Sequence, residues 1–166
     1  MRFHALAAAL VSLSVSTAAF AADTTSTRET DRSADPAIAR QLDALKYQYE
    51  VDDDGDYKLA FDMDNGRSQL AFVISAVESF GDMKVREVWA PAYRASATQF
   101  PAEVANKLLE DSHASKLGAW VKQGDMAVFV VKLAADASQA DLSDALDFVL
   151  RTADQMENEL TGKDEF

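Results

Sequence analysis

The stretch that most constrains the fold runs from Tyr57 to Tyr93 and has the pattern of three consecutive β-strands. In its first seven residues, the larger apolar residues Leu59, Phe61 and Met63 alternate with lysine, alanine and aspartate. Alternation with a period of two is typical of a strand that buries one face. A chain with three such strands in succession is expected to build its core around a sheet.

Turn signals separate these strands. Asp64-Asn65-Gly66 follows the first strand, and Asn-Gly favours the positive φ angles of a tight hairpin turn. The second strand, residues 68–77, is apolar on both faces, so we expect it to lie centrally in the sheet. Phe80-Gly81-Asp82 predicts the next turn. The third strand, residues 83–93, is expected to close at Pro91, which cannot donate to a sheet ladder.

Helical patterns precede and follow the strands. Asp35-Pro36 has the form of an N-cap followed by proline at the first helical position. Pro101 opens a second helix. Ser138 and Asp141 resemble a capping box at the start of a third helix, which is expected to end at Gly162.

A second hairpin is predicted between the last two helices, with strands over residues 119–122 and 126–133. The element order is therefore helix, three strands, helix, two strands, helix. Strands and helices do not alternate regularly, which argues against a doubly wound parallel sheet. We expect a single α+β domain over residues 36–162, with a curved antiparallel sheet flanked by helices.

The N-terminus has the pattern of an export signal. Residues 5–15 are apolar, and Ala19-Phe20-Ala21 matches the small-residue cleavage site of a signal peptide. This predicts a signal peptide over residues 1–21, with Ala19 and Ala21 at the cleavage site and Ala22 as the first mature residue. A periplasmic or secreted protein is expected, without stable membrane insertion after processing. An uncleaved anchor is the alternative.

Composition limits the partners of the mature chain. Residues 22–35 are polar and charged and are expected to form a disordered leader. Cleavage would remove Arg2 and leave 15 basic against 28 acidic residues, a net charge of −13. A surface this acidic disfavours nucleic acid and anionic membranes as partners. The chain has no cysteine, so burial rather than disulfides must hold the fold.

The acidic run before the first strand raises the question of a metal site. Asp52, Asp53, Asp54 and Asp56 resemble the start of a calcium loop, but the glycine and glutamate of an EF-hand are missing at their spacing. A solvated turn is favoured, with weak calcium binding left open. No metal, cofactor or nucleotide site is predicted, since the glycines form none of the phosphate-binding motifs.

Catalytic candidates are few, and two tryptophans stand out instead. His113 is the one histidine after the predicted signal peptide, and a place near a helix C-terminus explains it without catalysis. No catalytic residue is therefore assigned. Trp89 and Trp120 either pack in the core or contribute to a binding surface. They are our candidates for a partner surface, because one apolar sheet face could remain incompletely covered.

Beyond these patterns, the chain from Pro36 to Leu160 resembles the YbjN-domain family, which is assigned to bacterial sensory transduction regulation. The stretches that carry the resemblance are Arg67-Ser68-Gln69, Pro101-Ala102-Glu103, Leu108-Leu109-Glu110, Leu117-Gly118-Ala119-Trp120 and Gly124-Asp125. The resemblance implies a fold similar to type III secretion chaperones and a non-enzymatic protein that binds other polypeptides. It brings no catalytic residues with it.

Together these observations predict an exported, chaperone-like or regulatory module that binds another protein or a peptide segment. An apolar segment with basic flanks would suit the acidic chain. A small-ligand sensor or signalling accessory protein is the alternative, and a hydrolase is the least favoured interpretation. A homodimer is expected only by analogy with the chaperone fold.

Overall fold

The computed structural model describes residues 33–166 and contains three α-helices and a seven-stranded sheet. The predicted signal peptide and the predicted leader up to residue 32 lie outside the described residues. In chain order the elements are α1 (Pro36–Leu45), β1 (Glu50–Val51), β2 (Tyr57–Asp62), β3 (Ser68–Val73), β4 (Glu78–Phe80), β5 (Met83–Arg94), α2 (Ala102–Ala114), β6 (Ala119–Gln123), β7 (Met126–Ala134) and α3 (Gln139–Thr161).

The strands form one antiparallel sheet in the order β1-β2-β3-β5-β7-β6, and β4 pairs with the first residues of β5. Helix α3 packs on β3, β5 and β7, α2 packs on β6, and α1 packs on α3. The structure confirms the predicted α+β class with an antiparallel sheet. It adds β1 and β4 to the five predicted strands.

The core lies between the helices and one face of the sheet. Its largest fully buried apolar side chains come from both layers and are Ile38, Leu42, Leu59, Val73, Val88, Phe129, Val131, Leu142, Leu146 and Val149. Full burial of one such aliphatic side chain contributes about 1.5–3 kcal/mol. The period-two pattern of β2 is confirmed, since Tyr57 and Leu59 are buried and Phe61 packs against the core.

The predicted helix caps are also confirmed. Asp35 is the N-cap of α1, and its Oδ1 accepts the backbone N–H of Ala37 at 2.8 Å. Ser138 and Asp141 form a reciprocal capping box at the start of α3. Gly162 ends α3 in the left-handed conformation, with φ of 66°.

The predicted second strand is interrupted, because residues 74–77 leave the ladder between β3 and β4. The guanidinium of Arg86 donates from Nη1 to the carbonyls of Ile74 at 2.9 Å and Ser75 at 3.1 Å. A side chain thus satisfies carbonyls in the segment between β3 and β4.

Proline does not close β5, and this expectation was wrong. Pro91 pairs with Val128, and the strand continues to Arg94 after a register shift between Pro91 and Tyr93. An irregularity of this kind accommodates the missing N–H of proline without ending the strand.

Candidate functional site

One face of the sheet is turned away from the three described helices. Neighbouring residues on each strand alternate between this open face and the core, so the cross-strand pairs Phe72–Trp89 and Pro91–Val128 lie on it together. We define the open face by the side chains of Leu70, Phe72, Ile74, Trp89, Pro91, Val121, Val128 and Val130. The predicted apolar second face is therefore present and free of helices in the part of the chain that the structure describes.

A cleft of about 320 Å³ lies on this face. Its lining combines apolar side chains with three aspartates and one arginine, and residue 166 also contributes. The residues that line this open-face cleft are Asp52, Asp54, Asp56, Leu70, Phe72, Ile74, Trp89, Pro91, Arg94, Gln123, Met126, Val128 and Phe166. A cleft of this composition suits an apolar group that has a positive charge nearby.

Trp89 is held in a defined position within the cleft. Its Nε1 donates to Oε2 of Glu87 at 2.8 Å, and Oε1 of Glu87 forms an ion pair with Nζ of Lys132, also at 2.8 Å. The indole is partly exposed. Because its N–H is already satisfied, the ring offers mainly its apolar surface to a ligand.

Trp120 lies on the opposite, helix-covered face and is 9% exposed. Its ring packs edge-to-face on Phe129 with 5.1 Å between centroids, and its Nε1 donates to Oδ2 of Asp111 at 2.7 Å. The structure therefore does not bring the two tryptophans together on one surface. Trp89 alone faces the cleft.

The acidic run forms a turn whose carboxylates bind backbone groups. Oδ1 of Asp52 accepts the N–H groups of Asp54 at 3.0 Å and Asp56 at 2.9 Å. Oδ1 of Asp56 accepts the N–H of Ser75 at 2.7 Å. Over residues 33–166, no group of three or more His, Cys, Asp or Glu residues is placed to hold a metal ion. The turn instead brings negative charge to the lining of the open-face cleft.

His113 lies away from the lining of this cleft. It occupies the last turn of α2 with its side chain exposed. This position at a helix C-terminus agrees with the dipole explanation made from the sequence.

The stretch Arg67-Ser68-Gln69 connects the sheet to α3. Nε of Arg67 contacts Oδ1 of Asp154 at 2.5 Å, and its Nη2 contacts Oε2 of Glu157 at 2.9 Å. Burial raises the pKa of Glu157 despite this cation. Nε2 of Gln69 donates to the carbonyl of Pro91 at 2.8 Å inside the core. These contacts give the stretch a structural role.

Gly118, from a second of the stretches that carry the resemblance, also has a packing role. It has φ of 81°, and a Cβ built on it would lie 2.4 Å from the carbonyl oxygen of Val130. Only glycine fits this close approach without a shift of the backbone.

Sequence reasoning missed two apolar features. Phe166 lines the open-face cleft, and its only sequence signal is an aromatic residue shortly after the helix-ending glycine. At the tip of the β4–β5 hairpin, Phe80 is 81% and Met83 is 63% exposed. Met83 also lines a wider cleft of about 790 Å³, which combines apolar residues such as Val77 and Leu133 with charged residues of both signs.

None of the helices within residues 33–166 has the length and apolar character needed to cross a bilayer. A comparison with curated proteins gave no match. The model of the YbjN family, described as "Putative bacterial sensory transduction regulator", matches residues 36–161. This match covers more than half of the chain, and it spans α1 to the end of α3. The protein belongs to the YbjN family.

Proposed function

We propose that this protein is an exported, non-enzymatic regulatory module that binds a polypeptide segment of a partner protein on its open sheet face. The observation that carries the proposal is the open-face cleft, in which the apolar side chains of Leu70, Phe72 and Trp89 stay partly exposed although Ile74, Pro91 and Val128 are buried. Apolar surface of this kind is typical of interaction sites. The family description as a regulator supports a binding role over catalysis.

The chemistry of the cleft defines the partner segment. Its apolar lining suits aliphatic or aromatic side chains, and Asp52, Asp54 and Asp56 in the same lining suit lysine or arginine. The negative charge of the whole chain, −12 before processing, favours the same basic partner over long range. The partner segment is therefore apolar with a basic flank.

A small-ligand sensor is the second candidate, and the shape of the site favours it less. Small-molecule sites are concave and typically bury most of the ligand surface in about 300–1,000 Å³. The volume of the open-face cleft, about 320 Å³, is at the lower end of this range, and the cleft lies across one face of a sheet. A chaperone-like use of this surface, in which it holds an exposed segment of another protein, fits its form better.

The periplasmic location follows from the predicted signal peptide and has its own test. N-terminal sequencing of the protein recovered from the periplasmic fraction should give Ala22 as the first residue. Recovery in the cytoplasm with residues 1–21 intact would contradict the location.

The binding surface is tested with a pair of exposed apolar positions. Val121 lies on the open face and is 40% exposed, whereas Leu109 lies on α2 and is 68% exposed. The wild-type chain from residue 22 and the variants Val121→Asp and Leu109→Asp are immobilised, and periplasmic proteins are captured and quantified by mass spectrometry. One protein held by the wild type and Leu109→Asp and lost from Val121→Asp supports the proposal. Equal capture by both variants contradicts it.

A further inference from the structure

The segment after α3 is held at the start of β3 and at α3, and its last residue reaches the open-face cleft. Nη1 of Arg67 donates to the carbonyl of Lys163 at 2.6 Å, and the N–H of Glu165 donates to Oε1 of Glu157 at 2.6 Å. The N–H of Ser68 donates to Oδ1 of Asp164 at 3.0 Å. We call residues 162–166 the tail segment.

The tail segment brings an aromatic side chain to the open-face cleft. Phe166 is partly buried and lines the cleft together with Leu70, Pro91 and Val128. The same cleft includes Trp89. One wall of the proposed partner site is thus formed by the chain's own phenylalanine.

The acidic turn and the tail segment contact opposite ends of β3. The carboxylate of Asp56 binds the N–H of Ser75, just beyond β3, whereas Asp164 binds the N–H of Ser68 at its start. Between these ends, Leu70 and Ile74 are four residues apart on the open face, which is about 13 Å in a strand. An aromatic group near Phe166 and a positive charge at the acidic turn would therefore be separated by about four residues of extended chain.

We infer that Phe166 occupies the position of an aromatic anchor in the partner segment, and that the partner displaces the tail segment when it binds. The partner segment is extended, with an aromatic side chain and a lysine or arginine about four residues away. This inference rests on the proposed function and adds its ligand chemistry and its regulation. When a protein's own chain occupies its binding site, only the molecules with a free site can bind the partner. The apparent dissociation constant of the partner then equals the intrinsic constant divided by the fraction of molecules with a free site.

The test uses Trp89 as the reporter and needs no natural partner. The chain has two tryptophans, so Trp120→Phe leaves Trp89 as the single emitter. In this background, Phe166→Ala should increase the quenching of Trp89 by acrylamide, and Phe166→Leu should restore most of the protection. Asp164→Ala removes one fastening contact of the tail segment and should act in the same direction as Phe166→Ala.

The probe is the blocked pentapeptide Phe-Thr-Val-Thr-Lys, compared with versions that replace its phenylalanine by alanine or its lysine by glutamate. We expect the original pentapeptide to bind Phe166→Ala in the Trp120→Phe background about tenfold more tightly than it binds Trp120→Phe alone, because the competing aromatic group is gone. Both altered peptides should bind more weakly than the original. Circular dichroism confirms that each variant is folded.

Unchanged quenching of Trp89 in Phe166→Ala would overturn the inference. It would also be overturned if the pentapeptide bound the Trp120→Phe protein and its Phe166→Ala derivative equally, or bound neither of them. These outcomes leave the capture experiment with Val121→Asp unaffected. The partner site can therefore stand even if the role of the tail segment fails. The opposite result is also possible to recognise. If Phe166→Ala exposes Trp89 but Val121→Asp and Leu109→Asp capture proteins equally, the contact of the tail segment with the cleft is supported and the partner site is rejected.

Discussion

Replacing Asp35 with asparagine tests how the start of α1 is attached to the sheet. Oδ2 of Asp35 forms an ion pair with Nη2 of Arg86, whose side chain is 6% exposed. The backbone N–H of Asp35 donates to Oγ of Ser75 at 3.1 Å, and its carbonyl accepts the hydroxyl of Tyr57 at 2.9 Å. Asp35→Asn can keep these backbone contacts and the side-chain oxygen of the N-cap, but it removes the negative charge and replaces Oδ2, the acceptor of Arg86, by an amide NH2 group.

The loss of stability expected for Asp35→Asn follows from the hydrogen-bond partners that Arg86 keeps. Arg86 still donates to the carbonyls of Ile74 and Ser75, so its charge keeps two hydrogen-bond partners. A hydrogen bond to a charged group contributes about 1.5–3 kcal/mol, which sets the free-energy cost of Asp35→Asn at about 2 kcal/mol. Asp35→Ala also removes the cap and should cost about 1 kcal/mol more.

The pH dependence separates the charge from the cap. Burial alone would raise the pKa of Asp35, but the N–H of Ala37 and the guanidinium of Arg86 outweigh it and lower that pKa. At pH values between the folded and the unfolded pKa of Asp35, the unfolded state binds more protons than the folded state. The contribution of Asp35 to stability is therefore present above its unfolded pKa of about 3.9 and is lost as pH falls through the folded pKa. Wild type and Asp35→Asn should therefore converge in stability below about pH 4.

Urea denaturation followed by far-UV circular dichroism measures both effects. With a slope of about 2 kcal/mol per molar urea, Asp35→Asn should lower the midpoint by about 1 M at pH 7, and this difference should become progressively smaller as pH falls below about 4. Asp35→Ala should keep its additional loss relative to Asp35→Asn at both ends of this pH range, because neither variant has an ionisable group at position 35. A wild-type to Asp35→Asn difference that is the same at pH 7 and pH 3 would refute the ion pair as its source.

Three further substitutions test packing, capping and burial by the same urea method. Gly118→Ala should cost at least about 3 kcal/mol because of the contact with Val130, whereas the control Gly124→Ala, with open space around it, should cost about 1 kcal/mol; equal losses would contradict the packing role. Ser138→Ala should cost about 1 kcal/mol by opening the capping box, and no change would argue against the cap. Burial raises the pKa of Glu157 above 4.5, so the stability of the wild type should fall as pH rises through the folded pKa of Glu157. Glu157→Gln should not show this fall, and parallel pH profiles of stability for the two proteins would contradict the role of Glu157.

Local signals predicted the element order well, because each depends on a few adjacent residues. The alternation from Tyr57 to Phe61, the N-cap at Asp35 and the capping box at Ser138 all correspond to observed features. Helix α1 is shorter than the run of apolar residues at helical spacing, which comprises Ile38, Leu42, Leu45 and Tyr49. It ends at Leu45, with Lys46 at φ of 61°, although the apolar spacing continued to Tyr49.

The missed features involve residues far apart in the chain. The break after β3 coincides with Arg86 donating to the carbonyls of Ile74 and Ser75, and the apolar residues of 68–77 gave no sign of it. The extension of β5 beyond Pro91 depends on its pairing with β7. Strand pairing can thus override a local breaker when a bulge absorbs the missing donor.

The sequence by itself determined an acidic, cysteine-free α+β chain with apolar residues on both sheet faces, since composition and periodicity are properties of adjacent residues. Only the tertiary structure decided which tryptophan joins the core and which faces the cleft. It also decided that Phe166 lies beside β3, through contacts such as that between Arg67 and the carbonyl of Lys163, 96 positions apart. Such contacts depend on how the layers pack, and no local pattern encodes the packing of layers.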